Sequence, residues 1–230
     1  MDRRLEKIVK GIEQNTLGLD DEFYFKCKTC GKCCKNRHDI LLTTRDLYNI
    51  AHALHRTTSY VVERYCDVYI GKDSRIPIVR LKPTGPEESC PLLRNKRCIV
   101  HSAKPVVCAI FPLGRAATFE PAEKIEPKYF FQPDACGSRE QAHTVRSWLN
   151  QFGIPVEDTF FPLWTEINTL MSTSFRELEA QSTPDEVMER LWDIAFFHMY
   201  INYDTGKNLI PQYQKNAKIL RVLVAKVVPK

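Results

Sequence analysis

No glycine-rich phosphate cradle occurs in this sequence: G-x-G-x-x-G and the P-loop are both missing, and its nine glycines are scattered. That argues against a Rossmann pocket for a dinucleotide, a nucleotide or S-adenosylmethionine. No apolar run approaches the roughly 18 residues of a membrane span, and Met1–Lys10 lacks the uninterrupted apolar stretch of a signal peptide. A cytoplasmic protein without membrane association is expected. His38, His52, His55, His101, His143 and His198 form no H-x3-H pair near a carboxylate, so an imidazole-dominated metal site is not indicated. The net charge of +5 is too small to indicate nucleic acid by itself. No internal repeat or low-complexity tract is visible. An odd count of nine cysteines does not suit a closed disulfide framework, and disulfides are rare in a reducing cytoplasm.

What is present is a cluster of thiols. Cys27, Cys30, Cys33 and Cys34 occupy eight residues, followed by Cys66, Cys90, Cys98, Cys108 and Cys136. Thiols so close cannot all pair in unstrained disulfides, because a bridge demands particular Cα separations and torsions. Metal is the economical use for them. Cys-x2-Cys spacing lets two thiolates bend toward one centre, and a third at the same interval continues the chelate as in ferredoxin loops, which also use a remote cysteine followed by proline. Cys27, Cys30 and Cys33 match the first part and Cys90-Pro91 the second. Neighbouring side chains on an extended backbone point to opposite sides, so Cys33 and Cys34 are expected to serve two sites. With Cys66 set aside, eight cysteines suffice for two four-thiolate centres. His101, three residues after Cys98, is the one histidine kept as an auxiliary ligand candidate.

The fold class expected is α+β: a cysteine-rich metal core of short strands and loops enclosed by helices, with a helical C-terminal half. Leu5, Ile8, Val9 and Ile12 recur at helical spacing over residues 2–15, giving an N-terminal helical segment within 1–22. The cysteine-rich domain is drawn at 23–137 and the helical region packed on it at 138–230, with the seam near Asp134–Arg139. Thr43 and Asp46 cap a helix over 44–55. A second helix near 58–70 places Val62, Cys66 and Tyr69 on one face, which makes Cys66 a core residue. Residues 76–81 are β-rich, and Arg94–Arg97 forms a hairpin turn between two cysteine-bearing strands. Pro105 opens a short helix carrying Cys108, and residues 116–133 are extended segments and loops. Phe160, Leu163, Trp164, Ile167, Leu170 and Met171 form an apolar helical stripe; Thr183–Glu186 is a capping box for a helix to about Tyr203. The last helix, near Tyr213–Val228, should bury Ile219, Leu220, Leu223, Val224 and Val227.

Taken in order, Phe25-x-Cys27-x-x-Cys30-Gly31-x-Cys33-Cys34, Leu41-x-Thr43-x-x-Asp46-Leu47, Cys90-Pro91-Leu92-Leu93, Cys98-Ile99 and Lys104-Pro105-x-x-Cys108-x-x-Phe111-Pro112 resemble the bacterial and archaeal CxxCxxCC family. That family is known as zinc- or iron-chelating and includes the flagellin lysine N-methylases. The resemblance covers residues 23–137. It departs from the family pattern at His101, where an aromatic residue is common, and at Lys104 and Ala109, where arginines are common. It implies a chelating domain and, more remotely, a protein lysine N-methylase activity.

Thiolates suit both iron–sulfur clusters and zinc. The ferredoxin-like run favours iron–sulfur, of the 4Fe–4S type, in one or two centres, with zinc as the alternative. Lys26, Lys28, Lys32, Lys35 and Arg37 would offset the thiolate charge for either metal. Radical S-adenosylmethionine chemistry is not indicated, because Cys30-x3-Cys34 starts its motif and Arg37 takes the third place. The expected function is metal binding with an electron-transfer or accessory redox role toward a protein or redox partner. The alternatives are the methylase, and a structural zinc module that presents its helical half to a partner. The expected ligands are Cys27, Cys30, Cys33, Cys34, Cys90, Cys98, Cys108 and Cys136; no catalytic residue is assigned.

Overall fold

The computed structural model describes residues 3–117, 125–132 and 135–227, with the backbone alone for 3–8. The side chains of Leu5 and Ile8, residues 118–124, Asp134 and Val228 therefore lie outside the described residues. The chain divides into two compact units that interleave along the sequence: one runs up to Ile40 and resumes over Pro83–Pro162, the other combines Leu41–Lys82 with Leu163 onward. The architecture is α+β, with small sheets and a helical C-terminal half.

The first unit opens with α1 (Arg3–Asn15), then β1 (Thr16–Leu17) and β2 (Glu22–Lys26). The expected apolar face of α1 is only partly used. Val9 is 41% exposed, and the close approach is made by buried Gly11, where a Cβ would come within 2.5 Å of the Phe130 ring.

The second unit begins with α2 (Thr44–Ala53), α3 (Thr58–Tyr65) and the hairpin of β3 (Cys66–Ile70) and β4 (Pro77–Leu81). Thr43 caps α2 as anticipated: its hydroxyl accepts from Asp46 N–H, and the Asp46 carboxylate accepts from Thr43 N–H at 2.9 Å. The expected helix over 58–70 stops at Tyr65, and Cys66 starts a strand. Val62, Cys66 and Tyr69 therefore do not share a helical face, and Cys66 is half-buried rather than core. A run ending in Cys-Asp-Val-Tyr-Ile is β-prone, and pairing with β4 decides it.

Returning to the first unit, β5 (Leu93–Arg94) and β6 (Arg97–Cys98) form the expected hairpin. Asn95 and Lys96 both have positive φ, 48° and 62°, as the favoured two-residue hairpin turns require. The helix α4 (Val106–Ala109) carries Cys108, with Pro105 at its N-cap. β7 (Leu113–Ala117) and β8 (Pro127–Phe131) pair antiparallel, and β1 adds to the other edge of β8. β9 (Ser138–Thr144) is a strand where helical periodicity was expected to start; it pairs with β2, and helix resumes only at α5 (Val145–Gln151). Phe23, Phe25, Ile110, Leu113, Tyr129, Trp148 and Leu149 form the buried core of this unit.

The remaining helices are α6 (Phe160–Ala180), α7 (Asp185–Phe196) and α8 (Leu209–Val227). The Thr183 hydroxyl does not cap α7. It donates to Leu178 O at 2.7 Å and closes α6 instead, while α7 starts from Pro184 with no side-chain cap. Beyond Phe196 the helix loosens into a π-turn over Phe197–Ile201, where His198 Nδ1 stands 3.1 Å from Asn216 Oδ1. The buried stripe of α8 is Leu209, Tyr213, Asn216, Ala217 and Leu220; Ile219 is 37% exposed, so the expected inward face is rotated.

Gly137 anchors the junction between the cysteine loops and β9. Its φ is 125°, and a Cβ there would stand 2.4 Å from the Phe25 ring and 2.9 Å from the Lys26 carbonyl. Gly137→Ala should cost about 1–3 kcal/mol through strain and overpacking, read as a lower urea midpoint; an unchanged midpoint would show that the Phe25 ring yields freely.

Candidate metal centre

The cysteine loop leaves β2 at Lys26 and is shaped by two left-handed residues, Thr29 at φ 48° and Gly31 at φ 71°. Thr29 N–H lies 3.4 Å from Cys27 Sγ. After Gly31 the chain makes a single 3-10 turn, Lys32–Cys34, so Cys33 and Cys34 are not on extended backbone. Their Sγ atoms stand 4.0 Å apart on the same side. The expectation that they point to opposite sides is thereby overturned, because alternation of side chains is a property of strands and not of a 3-10 turn. The case for two centres that rested on that alternation falls with it.

Long-range backbone bonds bring the next thiols in. Cys90 N–H donates to Cys34 O at 2.8 Å, Asn36 N–H donates to Glu88 O at 3.0 Å, and Lys35 bridges to Ser89. Leu93 N–H returns to Cys90 O, and in the hairpin Leu93 stands opposite Cys98. Cys108 N–H donates to Pro105 O at the start of α4. Trp148 on α5 donates from Nε1 to Ile110 O at 3.0 Å and stacks edge-on against Phe25 at 5.7 Å, steadying α4 and β2 from below. His143 Nε2 lies 3.0 Å from Phe25 O; a carbonyl only accepts, so this nitrogen carries the proton.

Electrostatics shows which thiols are neighbours. Cys34 interacts with Cys33 by a hydrogen bond and with Cys90, Cys108 and Cys98 through charge; Cys136 interacts with Cys33 and Cys30. Seven of the eight expected ligands therefore form one connected set. Cys27 is exposed and makes its contact with Thr29 alone among the described residues. Cys66 belongs to the second unit. His101 is exposed on the turn His101–Ala103. Among the described residues no three cysteine, histidine or carboxylate groups close on a point at coordinating distance, so the thiols are gathered without forming a finished shell. Their chemistry fits zinc or iron: the set is all sulfur. Two tetrahedral thiolates on one ion would lie about 3.8 Å apart for bonds of about 2.3 Å, close to the Cys33–Cys34 separation.

Of the basic residues expected to offset thiolate charge, two are engaged elsewhere, Lys26 with Glu140 at 3.5 Å and Lys35 with Glu87 at 2.6 Å. Arg37 does face the cluster. Burial pulls its guanidinium down, but Asp39 at 2.6 Å and the charges of Cys108 and Cys33 outweigh it and raise it. Lys104 favours the charged form of Cys98, and Arg94 that of Cys90; neither was among the expected cations. Adjacency to a cysteine in sequence was the wrong signal, because direction across a turn decides which cation a thiol meets.

Residues 26–143, just over half of the chain, match a domain described as a "putative zinc- or iron-chelating domain". The chain belongs to the CxxCxxCC family. No curated protein and no solved structure matches it. The CxxCxxCC match takes in all eight expected ligands and also spans Cys66. No described helix is long and apolar enough to cross a membrane.

The thiols give metal-free protein a defined pH response. The hydrogen bond to Cys34 and burial push Cys33 up; burial pushes Cys90, Cys98 and Cys136 up; the bond from Cys33 draws Cys34 down. The four raised groups keep protons in the native state that the unfolded chain releases near the ordinary value of 9.0. Their contribution is complete below that value and is lost as pH rises through the raised ones; Cys34 alone has the opposite sign. Metal-free protein should therefore become less stable to urea between about pH 8 and pH 10, and a rising midpoint over that range would contradict the burial of these thiols.

Cys66→Ala should keep full metal content and lose about 1 kcal/mol or less of stability, whereas Cys30→Ala should lose metal. Elemental analysis of the two purified variants tests this, and equal metal loss would place Cys66 among the ligands.

Proposed function

We propose that the chain carries iron–sulfur through its cysteine cluster and serves an electron-transfer or accessory redox role. The observation that carries this reading is the connected set of seven thiols, which holds Cys30 and Cys33 of the Cys-x2-Cys-x2-Cys run and the remote Cys90-Pro91, with Cys27 completing the run in sequence. When bound, such a cluster supplies one-electron redox chemistry. The chain's own part is to hold the thiols, to balance their charge with Arg37, Arg94 and Lys104, and to back them with the Phe25 and Trp148 rings.

In a four-iron cluster each iron takes one thiolate, so two thiols 4.0 Å apart serve different clusters or only one of them binds. Cys33 and Cys34 share Cys90 and Cys98 as electrostatic neighbours, while Cys108 adds to Cys34 and Cys136 to Cys33. The thiols thus form one neighbourhood, and the residual spectra of the serine variants count the centres it holds. The same 4.0 Å separation favours a second reading, zinc held by both thiolates on one ion.

Anaerobically prepared protein should be brown and contain iron and acid-labile sulfide. Cys33→Ser and Cys34→Ser should each leave a different residual spectrum. Stoichiometric zinc without sulfide, together with equal metal loss in both variants, would establish the zinc reading in its place.

A further inference from the structure

The two segments that hold seven of the eight expected ligands, residues 26–37 and 90–108, contain nine lysines and arginines and no aspartate or glutamate. Three of these cations have carboxylate partners from outside the two segments, Lys26 with Glu140, Lys35 with Glu87 and Arg37 with Asp39. Six positive charges remain. A divalent ion with four thiolates carries a charge of about −2, so even two such centres would leave the region positive. The surplus is therefore larger than metal binding calls for. Lys104 lies over the Phe152 ring at 4.4 Å, but Lys28, Lys32, Arg94, Lys96 and Arg97 are exposed and make no ion pair among the described residues.

These five cations lie on two segments that the fold joins. Arg94 and Arg97 stand opposite each other on the hairpin with Lys96 in its turn, and the hydrogen bond from Cys90 to Cys34 ties that hairpin to the cysteine loop carrying Lys28 and Lys32. Beside Cys98 stands Ile99, 44% exposed. An exposed apolar side chain on a hairpin that also carries three exposed cations supplies the two ingredients of a protein-docking patch, an apolar contact and a polar rim. Neither segment contains Phe, Tyr or Trp, so the bases of a single strand would find no aromatic platform.

From this charge layout we infer that the cation-rimmed thiol face docks an acidic protein and, resting on the iron–sulfur reading above, that this protein is an acidic electron carrier. Docking there brings the partner against the metal-binding loops. Opposite charge speeds the encounter and excludes basic competitors.

The test uses the full chain with its metal in place, a small acidic flavin-containing carrier as probe, and anaerobic calorimetry at low salt. The carrier should bind, and binding should fade as salt approaches about 0.5 M. Combined Lys32→Glu, Lys96→Glu and Arg97→Glu should weaken it by about tenfold or more, and Lys128→Glu, an exposed cation on β8, should leave it unchanged. Metal content of each variant shows that the site survives. Equal binding by a basic carrier, tighter binding of a mixed-sequence RNA strand, no binding of the acidic carrier, or indifference to the three reversals would each overturn the docking surface. Charge-dependent binding by a protein found to hold zinc without sulfide would support the docking face and remove the iron–sulfur reading alone.

Discussion

One backbone hydrogen bond, from Cys90 N–H to Cys34 O, sets the conditions for the rest of the site. It joins two cysteine-bearing segments more than fifty residues apart in sequence and brings the thiols of Cys34, Cys90 and Cys98 into one electrostatic neighbourhood. Thiols gathered and partly buried in this way resist ionising together, since each thiolate disfavours the next and burial disfavours them all. Only a cation among them reverses that balance. The arrangement is thus matched to a metal ion by its energetics as well as by its donor atoms, and metal binding must release protons from the buried thiols.

Beneath the thiols lies a rigid aromatic base. Phe25 enters the core from β2, Trp148 meets it edge-on, and the indole N–H holds Ile110 at the end of α4. The same Phe25 ring closes over Gly137, next to Cys136. The loop before β2's partner strand and the helix bearing Cys108 are therefore located by one packed cluster. Around the cysteine loop Glu140, Glu87 and Asp39 are engaged with Lys26, Lys35 and Arg37, and Glu88 with His38, which leaves cations in excess on the two cysteine-bearing segments.

The second unit is organised on different terms. Its interior is aliphatic and aromatic, with Leu47, Ile50, Ile167, Met171, Phe175 and Tyr213 almost fully buried. Of its polar groups, Glu179 receives the Arg75 guanidinium at a partly exposed position, buried Asn216 is shared by His198 and Asn202, and the buried Ser74 hydroxyl has no hydrogen-bond partner among the described residues. Cys66 lies here, on a strand, as one half-buried thiol. A unit with so apolar an interior draws its stability from burial.

Much of the local structure was legible because it depends on neighbours in sequence. The Thr43–Asp46 box, the turn at Asn95–Lys96 and the proline-led helix at Val106 each depend on a few adjacent residues. The same is true of the ligand type: four thiols in eight residues already call for a soft metal. What failed were inferences about direction. Cys66 was placed on a helix because its spacing allowed it, and pairing with Leu81 made it a strand. Thr183 was read as a cap and instead closes the preceding helix. Cys33 and Cys34 were read as divergent, and the turn after Gly31 turned them to one side. Sequence alone determined the donor type, a cluster of thiols among basic residues suited to zinc or iron. Tertiary structure alone decided which thiols and which cations meet, because a side chain's direction follows its backbone conformation, and at these positions that conformation is imposed by contacts with residues far away in the chain.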